Sequence, residues 1–103
     1  MATTPKKMFR GAASTSSTTL YTAPSGSGNK AIITSIVVVN TVSVAATFSI
    51  LVGGTYLAGA TTVAANDSVI INDVKIVMDA SEVIAGFASA TTVNFFISGV
   101  ELT

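Results

Sequence analysis

Cysteine, histidine and tryptophan are absent from this chain of 103 residues, and charged residues make up only 10% of it. Without His and Cys, the chain lacks the commonest general base, the usual thiol nucleophile and the best zinc ligands. Without Cys it also cannot be held together by disulfides. Most reaction classes are therefore disfavoured, and we expect a protein that is not an enzyme and binds no cofactor.

Charge is scarce while apolar side chains are plentiful. An ordinary soluble domain is roughly 25% charged, whereas half of this chain is hydrophobic. The longest run of Val, Ile, Leu, Met and Phe covers only residues 36–39, far below the roughly 20 residues of a membrane helix. We therefore expect no membrane partner, and an interface with other protein chains is the remaining way to hide the excess apolar surface.

The composition favours β-structure. Val, Ile and Thr together supply 37 of the 103 residues, and these β-branched types suit a pleated sheet better than a helix. Short apolar segments alternate with turn signals, of which Gly53-Gly54 is typical of a two-residue hairpin loop. The sequence predicts an all-β fold, an antiparallel β-sandwich of jelly-roll or immunoglobulin-like type with about eight strands.

The domain division follows from a change in composition. Residues 18–103 carry the strand patterns, whereas residues 1–17 combine a basic stretch with a run of small residues that cannot build a core. We predict an extended N-terminal arm that lies along a neighbouring chain. In this arm Lys6, Lys7 and Arg10 pair with acids, and Met8 and Phe9 act as apolar anchors. Nucleic-acid binding by the same cluster is disfavoured, because three cations on a neutral protein make a weak electrostatic footprint.

The segment 29–40 is apolar on both sides of a strand. Strict alternation places Ile32, Ile36 and Val38 on one face, with a second set, residues 33, 37 and 39, on the other. A sandwich strand needs only one buried face. We therefore expect one of these sets, either the first or its opposite-face neighbours, to contact another subunit.

The ten charged residues are unevenly distributed along the chain. Residues 1–66 hold four cations and no acid, whereas residues 67–103 hold one cation and five acids. This asymmetry is either chance or a sign of complementary surfaces between neighbouring subunits. Asp79 and Glu82 could in principle form a hydrolytic pair, or a calcium site together with Asp73. Their positions beside turns, and the lack of any established loop spacing, favour solvated turn charges.

Three segments together resemble small virion structural proteins of tailed bacteriophages. They are Thr19-Leu-Tyr-Thr-Ala-Pro24 with its Gly/Ser turn, the segment from Ala31 to Thr41, and the closing Ile97-Ser-Gly-Val-Glu-Leu102. The resemblance implies a β-sandwich with assembly work in place of catalysis, located on the virion. It favours a capsid decoration (cement) protein, often trimeric, that clamps subunits of the major capsid protein. A tail, neck or fibre component is the first alternative. A small ligand-binding or carbohydrate-binding module is the second, although the chain offers few aromatic residues for a sugar platform.

Overall fold

A computed structural model describes residues 3–71 and 75–103, and every regular element in these ranges is a β-strand. The nine strands are β1 (Thr3–Ala12), β2 (Thr18–Thr22), β3 (Lys30–Asn40), β4 (Ala46–Val52), β5 (Thr55–Val63), β6 (Ser68–Ile71), β7 (Ile76–Asp79), β8 (Val83–Ala88) and β9 (Val93–Leu102).

The strands form two antiparallel sheets that pack face to face. The first sheet has the order β1-β9-β3-β6, with β7 also paired to β3, and the second has the order β2-β8-β4-β5. β6 and β7 pair with successive parts of β3, at residues 36–39 and 30–33. They therefore act as two halves of one broken strand. If β6 and β7 are counted as one strand, the order of the strands in the two sheets is that of an eight-stranded jelly roll. The predicted all-β antiparallel sandwich is confirmed.

The core lies between the two sheets. Its largest fully buried apolar side chains come from both layers, and the rings of Phe48 in β4 and Phe95 in β9 meet edge to face with their centroids 6.1 Å apart. Such an aromatic pair contributes about 0.5–1.5 kcal/mol beyond its area burial. The remaining members of this group are Ile33, Ile36, Val38, Ile50, Val63, Met78, Ile84, Val93 and Ile97.

Two features fix the corners around β4. Gly53 and Gly54 both have positive φ, at 58° and 82°, as the predicted two-residue hairpin between β4 and β5 requires. At the other end, the fully buried Asn40 donates from Nδ2 to the Val44 carbonyl oxygen at 2.8 Å. This bond holds residues 41–45 as a loop. Val44 lies in this loop and is 70% exposed, because β4 begins only at Ala46.

The N-terminal segment was expected to be a separate arm on a neighbouring chain, and within this chain its structure is different. Residues 3–12 form β1, which runs antiparallel along β9 of the same chain from Thr3↔Leu102 to Ala12↔Asn94. Only residues 13–17 connect it to β2. The segment folds with the sandwich because β9 offers it a free edge. The small side chains that argued against a core lie mainly after the strand.

A β-bulge corrects the predicted faces of β3. The pairing of β3 with β9 shifts between Ile33 and Ser35, so one extra residue interrupts the alternation. Before the bulge Ile33 points into the core, and after it Ile36 and Val38 do so, all three with no exposed surface. The expectation that Ile36 and Val38 share an interface face with Ile32 is therefore wrong. The outer set is Ile32 together with residues 37 and 39.

Candidate protein-interaction surfaces

The outer face of the first sheet carries two apolar rows that cross its strands. In one row Val37 of β3 lies between Phe96 of β9 and Ile70 of β6. In the other, Ile32 lies between Val100 of β9 and Val77 of β7. We call this surface the apolar face and define it by these residues and Val39.

The outermost side chains of the apolar face are exposed to solvent. Ile70 is 58% exposed, Val77 56% and Phe96 37%. Strands lie about 4.8 Å apart and rise about 3.3 Å per residue, so the whole outer face of the first sheet, four strands wide and ten residues long, covers about 600 Å². That area approaches the roughly 800 Å² that each partner contributes to a standard protein interface. The apolar face together with the adjoining part of β1 is therefore of the size that a specific contact uses.

The basic residues of β1 border the apolar face. Lys7 pairs with Ser98 and Arg10 with Phe96 across the strands, and Lys6, Lys7 and Arg10 are all exposed. The guanidinium carbon of Arg10 lies 5.9 Å from the ring centroid of Phe96, within cation–π range. β1 contains no acid. The predicted partner-binding cations thus form one basic edge, which is a strand of this chain's own sheet.

The two predicted apolar anchors of the N-terminal segment serve the chain's own core. The pairing of β1 with β9 shifts between Lys7 and Phe9, and this bulge turns Met8 and Phe9 toward the same side. Met8 is buried, and Phe9 is partly buried against the core cluster. Neither side chain is free to anchor a neighbour in this fold, so both predicted anchor roles are corrected to core packing.

The predicted carboxylates have structural partners. Asp79 forms an ion pair with Lys30, in which Lys30 Nζ and Asp79 Oδ1 lie 2.6 Å apart. Glu82 Oε1 accepts a hydrogen bond from the Asp79 backbone N–H at 2.7 Å, which closes the turn between β7 and β8. Asp73, the third residue of the candidate calcium site, lies outside the described residues. Within residues 3–71 and 75–103 no three acidic side chains gather closely enough to hold a metal ion.

A cleft of about 300 Å³ opens at the edge of the sandwich, where β5 of one sheet approaches β7 of the other. Its walls are largely apolar and include Tyr56, which is 60% exposed, and Leu57, which is 38% exposed. Of the residues that the structure describes, Glu82 supplies the one carboxylate, and the other lining residues are Val52, Thr55, Ile76 and Val77. Val77 also belongs to the apolar face, so the two surfaces are continuous.

A partly buried hydrogen bond joins the two sheets on the side of β1 and β2. Tyr21 of β2 donates its hydroxyl to Glu101 Oε2 of β9 at 2.5 Å. Burial, and then the hydrogen bond and negative charge of Glu101, raise the pKa of Tyr21 above its ordinary value. The phenol therefore stays protonated and serves as a fixed cross-link between β2 and β9.

The sequence reasoning missed Phe96, Ile70 and Val77, although part of the signal was present. Phe95 and Phe96 are adjacent, and strict alternation in β9 places one of them outside when the other is in the core. Ile70 and Val77 lie on strands of only four residues each. Periodicity over such short strands cannot decide which side faces the core, and their outward position is fixed only by pairing with β3.

Within the described ranges there is no helix long and apolar enough to cross a membrane. Comparisons with protein-family models, with curated proteins and with solved structures find no match to this chain. The surfaces of the chain itself are therefore the basis for inferring its function.

Proposed function

We propose that this chain is a non-enzymatic structural subunit of a virion, a capsid decoration protein that docks on the capsid through its apolar face. The observation that carries the proposal is the pair of exposed apolar rows centred on Val37 and Ile32. A folded domain rarely leaves such a surface open unless a partner covers it.

Three further features support the assembly role. The likeness of the sequence to small phage virion proteins suggests the kind of particle. The jelly-roll strand order is used by viral capsid domains, although lectins share it and fold alone does not fix function. Finally, residues 3–12 are built into the sandwich along β9, so the chain meets its partner as a preformed body with little ordering cost.

The basic edge defines the chemistry of the capsid surface that would fit. Lys7 and Arg10 lie beside the apolar face, and Asp79, an acid of the same sheet, is paired with Lys30. A partner with an apolar centre and acidic groups opposite β1 would satisfy both parts. The apolar contact would set the affinity, while the charges would set orientation and the rate of encounter.

The test is to locate the chain in electron-microscopy maps of virions and to measure its occupancy when the apolar face is altered. The double variant Ile70→Ser/Phe96→Ser removes two exposed apolar side chains without touching the core. We expect it to fold like the wild type by circular dichroism and to lose at least about nine tenths of its particle occupancy. Val44→Ser is the matched control, because it removes a 70% exposed apolar side chain from the loop 41–45, outside the apolar face.

Density on the neck, tail or fibre would assign the chain to another station of the virion. Undiminished occupancy in the double variant would show that the apolar face is not the docking surface. Absence of the chain from purified virions would overturn the proposal altogether.

A further inference from the structure

The two flanks of the sandwich differ in charge and in surface chemistry. β1 and β2 end the two sheets on one side, whereas β5 and the β6/β7 pair end them on the other. We call the first the basic flank, defined by Lys6, Lys7 and Arg10. The second is the acidic flank, defined by Asp67, Asp79 and Glu82 together with the cleft residues Tyr56, Leu57 and Val77.

The charges on the flanks are complementary. Neither β1 nor β2 contains an acid, and Glu101 of the neighbouring β9 is hydrogen-bonded to Tyr21 of β2. The basic flank therefore presents three cations against one acid. Among the described residues, the acidic flank sets three acids against two cations, Lys30, which is paired with Asp79, and Lys75. The four strands of the second sheet carry no charge at all. The long-range asymmetry of the sequence is therefore converted by the fold into opposite sides of one molecule.

We propose that copies of this chain associate head to tail, with the basic flank of one copy against the acidic flank of the next. Contact of a flank with its own equivalent would bring like charges together, which is unfavourable. Contact of opposite flanks brings the β1 cations toward Glu82 and covers the exposed walls of the cleft. This inference goes beyond docking on a capsid, because it concerns contacts between neighbouring copies. It shares the β1 cations and Val77 with the docking surface, whereas Tyr56, Leu57 and Glu82 belong to the contact between copies alone.

The cleft provides a specific binding site for a side chain of the neighbouring copy. Its volume of about 300 Å³ and its apolar walls suit the aliphatic stem of a lysine, and Glu82 is placed to meet the ammonium group. Lys6 and Lys7 are exposed at the free edge of β1. One of them would lie along Tyr56 and Leu57 of the next copy. A head-to-tail contact of this kind is heterologous, so the rotation between copies decides whether it closes into a ring or continues as a row.

The experiment uses two variants that each disable one flank. Lys6→Glu/Lys7→Glu reverses charges at the basic flank, and Tyr56→Ser/Leu57→Ser removes the cleft walls. Sedimentation velocity should show oligomers of the wild type in 50 mM salt, with association weakened at least about tenfold in 500 mM salt. Each variant alone should be monomeric, and Val44→Ser should associate like the wild type.

Mixing the two variants is the decisive measurement. Each retains one working flank, so an equimolar mixture should form a one-to-one heterodimer and nothing larger. A wild type that stays monomeric at 100 µM, or variants that associate undiminished, would overturn the proposal. So would a mixture that shows no heterodimer, as expected if the flanks bind a different protein. The outcome is separable from capsid docking, because Ile70→Ser/Phe96→Ser leaves both flanks largely intact and should still associate in solution.

Discussion

Gly99 of β9 leaves no room for a side chain, and this makes a sharp prediction about stability. A Cβ atom at this position would collide with the backbone carbonyl oxygen of Ile32 and lie 2.5 Å from Met8 Cε. The methionine end can rotate away, but the carbonyl oxygen is fixed by the sheet. Gly99→Ala therefore forces β9 and β3 apart.

The magnitude follows from the cost of overpacking. Inserting a methyl group into a packed core costs about 1–3 kcal/mol of stability. Because the collision here is with backbone, we expect Gly99→Ala to destabilise the fold by about 3 kcal/mol. A domain of this size has a total stability of about 5–15 kcal/mol. Each kcal/mol lowers the melting temperature by about 4–8 °C, so we expect a decrease of about 12–24 °C in calorimetry or circular dichroism.

A matched control separates the collision from the general effect of replacing glycine. At Gly59 in β5 the same Cβ atom would meet Tyr56 at 3.8 Å, which is ordinary van der Waals contact. Gly59→Ala should change stability by no more than about 1 kcal/mol. The double variant Met8→Ala/Gly99→Ala should not regain wild-type stability, because the collision with Ile32 remains. A Gly99→Ala melting temperature within about 3 °C of the wild type would refute the reasoning.

Two other predictions concern buried polar contacts. Asn40→Ala should lower the free energy of unfolding in urea by about 2–3 kcal/mol, because it leaves buried backbone groups without partners. Asn29→Ala removes an exposed contact to Ser25 and should lower it by less than about 1 kcal/mol. Equal losses in the two variants would contradict the role of Asn40. For Tyr21, the folded pKa lies above the ordinary value of 10.0. The stability contributed by its hydrogen bond to Glu101 is therefore complete below about pH 10 and is lost as pH rises from there through the folded pKa. Tyr21→Phe should therefore flatten the decline in stability above pH 10, and an unchanged decline would contradict this assignment.

Much of the architecture could be predicted because it depends on local patterns. The β-branched composition, with short apolar segments separated by turn signals, predicted the fold class, and the structure has nine strands in the described ranges where about eight were expected. The glycine pair predicted the β4–β5 hairpin. Bulges were not predictable from these patterns, and two of them interrupt the alternation within β5.

The interface residues were harder to predict because bulges are set by pairing between distant strands. One extra residue near Thr34 reverses the faces of β3, which moved Ile36 and Val38 from the expected interface into the core. A second bulge near Met8 turned a supposed anchor inward. Neither site contains a glycine or proline to mark it. Alternation therefore identified that β3 is apolar on both sides, while the register with β9 decided which residues lie on each side.

The treatment of the sheet edges indicates how this molecule can associate. A free strand edge invites pairing with another chain unless it is short, bulged, charged or interrupted by proline. In the described ranges β1 carries Pro5, two lysines and a bulge, β5 has two register shifts, β2 has five residues and a bulge, and β6 and β7 have four residues each. Each of these edges thus opposes the extension of a hydrogen-bonded ladder. The apolar face and the cleft carry no such protection. Association through side chains on faces and flanks is consequently favoured over strand addition, and such contacts can be regular without leading to open-ended sheet growth.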